Sequence, residues 1–74
     1  MSESQRVLEI GKEKQILREK IALNKQRAEI CVNNEMLRKA DDLLSECLLY
    51  HQDIASLNDE ENKIYESWGI IRPL

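Results

Sequence analysis

From Met36 to Leu57 apolar side chains return at alternating steps of four and three: Met36, Ala40, Leu43, Cys47, Tyr50, Ile54 and Leu57. Only a helix, turning about 100° per residue, lines such positions up on one stripe; a strand would scatter them over both faces. Leu37, Leu44 and Leu48 widen the stripe to about half the helix circumference, enough to touch two neighbours rather than one. The segment therefore has to be one member of a set of packed helices.

The first half of the chain carries the same ladder. Val7, Ile10, Leu17, Ile21, Ala28 and Cys31 share one stripe, and Lys14 and Asn24 occupy its weak positions. An Asn at such a seam position often fixes register and oligomer state at some loss of stability. Ile16, Leu23 and Ile30 form a second line at strict seven-residue spacing, rotated by about 120–140° from the first. A hairpin of two helices covers only one of these faces.

Boundaries follow from the few residues that interrupt a helix. Ser2-Glu3-Ser4-Gln5 offers a capping start, so helix 1 is expected over about 3–32, with Gly11 tolerated inside it. Asn33-Asn34 is the plausible break, because Asn caps helices and accepts left-handed geometry. If the chain turns there, helix 2 covers about 35–56; if not, one rod of about fifty residues would span roughly 80 Å and need a coiled-coil partner. Asn58-Asp59-Glu60-Glu61 looks like a capping box extended to Asn, so a short helix 3 is expected over about 59–68. Gly69 would stop it, and Pro73 keeps the tail 69–74 extended.

The expected fold is all-α and forms one domain, 1–74: a coiled-coil-like helical hairpin plus a short C-terminal helix, assembling into a dimeric helical bundle. Seventy-four residues bury too little surface to be comfortable alone. Disulfides are a poor remedy here, since Cys31 and Cys47 lie inside helical patterns and read as small core residues of a reduced, cytoplasmic protein. No apolar run approaches the about 20 residues that a membrane-spanning helix needs. Association with another chain is the remaining aid.

Chemistry-bearing motifs are thin. No nucleophile and base, carboxylate pair in a pocket or glycine-rich phosphate loop stands out, so no enzyme, cofactor or small-molecule substrate is expected. Cys47 and His51 are one helical turn apart, and a two-fold dimer could double them into a zinc set. No second pair accompanies them, and both fall on an apolar arc that explains them as core. Lys12, Lys14, Arg18, Lys20, Lys25 and Arg27 suggest a basic strip, but Glu9, Glu13, Glu19 and Glu29 interrupt it and the whole chain carries −3. Residues 1–32 hold seven Lys or Arg against five acids, and residues 33–74 four against nine. Halves of opposite sign suit two helices that attract when packed antiparallel.

The expected function is protein–protein interaction through apolar helix faces, by self-association or with a helical partner, as an adaptor, a small chaperone or an inhibitory protein. Ile16, Leu23, Ile30, Leu37 and Leu44 are the expected partner-binding residues, with Trp68 as a secondary anchor or as the closing residue of the chain's own core. The competing expectation is a dimeric transcriptional regulator that presents a basic helix 1 to nucleic acid.

Overall fold

A computed structural model describes residues 2–69, and these form two helices, α1 (Glu3–Asn33) and α2 (Leu37–Ser67), packed against each other as an antiparallel hairpin. The expected all-α hairpin is what the chain folds into; the tail beyond Gly69 lies outside the described residues. The pair measures 51 × 24 × 15 Å, a slab one helix layer thick.

α1 opens on a complete capping box. The Ser2 hydroxyl accepts from the Gln5 backbone N–H at 3.2 Å, and the Gln5 side chain accepts from the Ser2 N–H at 3.3 Å. The helix ends at the expected Asn33-Asn34 break, in a Schellman arrangement: Met36 N–H reaches the Cys31 carbonyl at 2.7 Å and Glu35 N–H the Val32 carbonyl at 3.0 Å. The residue forced to positive φ is Glu35, at +61°, rather than either Asn. Asn34 instead turns its side-chain amide back to the Ile30 carbonyl, 2.9 Å away.

α2 starts on Met36, which gives no side-chain cap, and runs unbroken through the Asn58-Asp59 step. The separate third helix expected at 59–68 is therefore the continuation of α2. Its capping signature lacks what would end the preceding helix, a Gly or Pro, whereas Leu57, Glu61 and Ile64 carry the three-four ladder straight through. Asn and Asp inside a helix lose only about 0.7 kcal/mol each relative to Ala, less than one buried Leu contributes. The helix ends where Gly69 takes φ +78°, a backbone conformation that glycine adopts without a Cβ clash.

Between the helices lies a heptad seam. Ile10, Ile21, Asn24, Ala28 and Cys31 of α1 are buried against Ala40, Cys47 and Glu61 of α2. Val7, Leu17, Leu43, Tyr50, Ile54, Leu57 and Ile64 are half-buried along the same line. Near the turn the core is made of small residues, Ala28, Cys31 and Ala40, with Leu43 against them, so the backbones come close where the chain reverses.

Candidate interaction surface

Two polar pairs fix how the hairpin's faces are aimed. Lys14 and Glu61 both stand at seam positions where the ladder calls for an apolar residue, and the antiparallel register sets them opposite each other. The ammonium lies 3.1 Å from the Glu61 carboxylate and 3.0 Å from the Asn58 Oδ1 that accepts its second hydrogen bond. Their side chains keep only 12% and 7% of their exposure, so the charges neutralise each other inside the seam. Asn24, the other weak seam position, donates to the Glu46 carboxylate at 2.9 Å and toward the Leu43 carbonyl at 3.4 Å. Lys14 is thereby spent within the chain and leaves the basic strip that the sequence suggests.

The open end is tied by Arg6. Its guanidinium grips the Glu60 carboxylate with two nitrogens, the Nη2 contact being 2.8 Å, and also reaches Glu9 and Glu13 at 3.4 Å. The hydrogen bond from Arg6 holds the Glu60 carboxyl below its ordinary range, and Glu60 raises the guanidinium further. Lys20 leans its ammonium over the Tyr50 ring, 5.7 Å from the centroid. Arg6, Lys20, Glu46 and Glu60 all lie on one flank of the seam, because each stands one position before a seam residue.

The same flank carries the line Ile16, Leu23 and Ile30, whose exposures run from 45% to 54%. A shallow groove lies beside Ile16, walled by Glu13, Leu17, Asp53, Ser56 and Leu57. A second lies beside Ile30, walled by Arg27, Cys31, Lys39 and Leu43. Leu23 stands between them on α1, and Leu49, 59% exposed, lies on the α2 side.

Leu37 and Leu44 fall on the opposite flank. Each stands one position after a seam residue, where Ile16, Leu23 and Ile30 stand one before, so the hairpin separates the two groups expected to form one face. Val32 and Leu48 join Leu37 and Leu44 there, near the turn, all of them exposed. Trp68 lies at the open end, 42% exposed, with its ring edge-on to Tyr65 at 5.8 Å. It belongs to neither patch.

Some of this surface gives little sequence signal. Leu49 falls off both ladders, and Glu61 reads as a first-turn acid until Lys14 is set across from it. Cys47 points into the seam, its thiol 3.7 Å from the Ile21 carbonyl, whereas His51 lies exposed on the Leu44 flank, so the two do not converge. Among the described residues no three His, Cys, Asp or Glu side chains come together as a metal would require, and no helix is long and apolar enough to cross a membrane. Set against known protein families, curated proteins and solved structures, the chain shows no significant match.

Proposed function

We propose that this chain is a non-enzymatic protein-interaction module that lays its exposed apolar helix flanks against other helices, those of its own copies or of a helical partner. One observation carries this reading. Among the described residues the hairpin fully buries six apolar side chains and leaves eleven large ones 42–67% exposed, most of them on its two flanks. Domains ordinarily close their cores with a second layer, and the described residues form only one. The radius of gyration, 16.2 Å against about 11 Å for a compact chain of this length, expresses the same openness.

Such a module would serve as an adaptor, as a small chaperone that covers a partner's apolar helix, or as an inhibitory protein that occupies a surface. The two buried thiols, Cys31 and Cys47, are free and suit a reducing, cytoplasmic setting.

Thermal melting followed by circular dichroism, from micromolar to millimolar protein, together with the mass in solution, tests the reading. A midpoint that rises with concentration is expected, or an isolated chain that is unfolded or aggregated without its partner. A lone copy with a cooperative melt indifferent to concentration would overturn it.

A further inference from the structure

Resting on the interaction reading, we infer that the flank bearing Ile16, Leu23 and Ile30 is covered by a second copy of this chain. The copies lie face to face about a two-fold axis parallel to the helices, with both turns at the same end. That operation sets α1 of each copy over α2 of the other, antiparallel to it, and closes a four-helix bundle.

Charge decides the arrangement. On this flank Arg6 already ties up Glu9, Glu13 and Glu60 at the open end; beyond that cluster α1 presents Lys20 and Arg27, and α2 presents Asp42, Glu46 and Asp53 together with the two cations Lys39 and Lys63. Among the described residues Arg27, Asp42 and Asp53 have no ion-pair partner within their own chain. The heights are fixed by the hairpin's own bonds: Ile21 is level with Cys47, Asn24 with Glu46 and Glu3 with Ser67. Arg27 is accordingly level with Asp42, and Ile16 with Asp53. A two-fold axis along the helices leaves heights unchanged, so Arg27 of one copy comes over Asp42 of the other and Lys20 within a turn of Asp53.

The apolar residues fall into place on the same operation. Leu23 meets Leu49 of the second copy within one helical turn, twice over. Ile16 of the second copy comes down on the Asp53–Ser56 side of the groove that Ile16 already borders, and Ile30 does the same at the groove beside Leu43. Turning the second copy end for end would instead lay α1 on α1 and α2 on α2. With the perpendicular axis at the level of Leu23, the middle of the apolar line, that brings Lys20 against Arg27 and Glu46 within a turn of its own counterpart, like charges facing each other.

Sedimentation equilibrium and disulfide trapping test the arrangement. The expected mass is twice that of the 8.7 kDa chain. A mixture of Leu23→Cys and Leu49→Cys chains should form a disulfide between unlike chains, and neither variant should link to itself. The native Cys31 and Cys47 are buried and stay out of the exchange. Arg27→Glu alone should weaken the dimer about tenfold, and Arg27→Glu with Asp42→Arg in the same chain should restore it. Both charged positions are exposed, so the hairpin survives the changes, as its helical circular dichroism will show.

Self-linking of Leu23→Cys would overturn this arrangement and leave the interaction reading standing. An unfolded or aggregated isolated chain would do the same, pointing to a different protein as occupant. A concentration-independent monomer would remove both.

Discussion

At the scale of single residues, two positions work against their surroundings. Glu35 is the one non-glycine residue at positive φ among those described, and an L side chain there loses roughly 1 kcal/mol relative to glycine. Glu35→Gly should therefore raise stability by about 0.5–1 kcal/mol, part of the gain being offset by the freer unfolded chain, and a urea titration would read it. Lys14 and Glu61 are the second case. Removing the cation from a pair this buried takes away the countercharge that Glu61 has across the seam, so Lys14→Met alone should destabilise by about 3 kcal/mol. Lys14→Met with Glu61→Met fills the seam with apolar volume and should come out near or above the parent. If the single changes simply add in the double variant, the pair is not coupled and its seam position is incidental.

At the scale of elements, the hairpin is fastened at its open end by Arg6 and Glu60, and that fastening titrates. Because Arg6 holds the folded-state pKa of Glu60 below its unfolded value, the folded chain binds this proton less readily than the unfolded one. The contribution is complete above the ordinary glutamate range, about pH 4.5, and disappears as pH falls through the lowered folded value. Melting midpoints between neutral and acid pH should fall less steeply in Arg6→Met than in the parent; equal slopes would show that the ion pair does not carry the acid sensitivity. Much at this scale was legible in the sequence. Ser2 with Gln5, Gly69 and the three-four ladders are local signals, and local hydrogen bonding realises them. The capping pattern at Asn58 opens no new helix because no Gly or Pro ends the helix before it. The weak seam residues Lys14 and Asn24 were legible too, yet their partners Glu61 and Glu46 were not, since the pairing depends on where α2 stops sliding along α1. The apolar lines themselves were readable, but the flank each one occupies follows from the hairpin's handedness and register, which no single helix encodes.

At the scale of the whole molecule, a one-layer slab has two broad faces, and they are not equivalent. The Ile16–Leu23–Ile30 flank runs along most of α1 and carries unpaired charges of both signs, whereas the Leu37–Leu44 flank gathers its exposed apolar residues at the turn end with Val32 and Leu48, Leu8 standing apart at the open end. Placing one Asp on each face separates their roles. Burying a Leu contributes about 1.5–3 kcal/mol, and a two-fold axis doubles the loss, so Leu23→Asp should weaken a dimer formed on that flank by roughly two to four orders of magnitude. The released hairpin, exposing both faces, should also lose helicity on dilution, since few of the large side chains in its own seam are fully buried. Leu44→Asp lies on the far flank and should leave the dimer mass unchanged while suppressing any larger assembly through the turn end. Sedimentation velocity on the two variants, side by side with circular dichroism, distinguishes the faces. Dissociation by Leu44→Asp with an intact dimer in Leu23→Asp would exchange their assignments and place the two-fold axis on the turn-end flank.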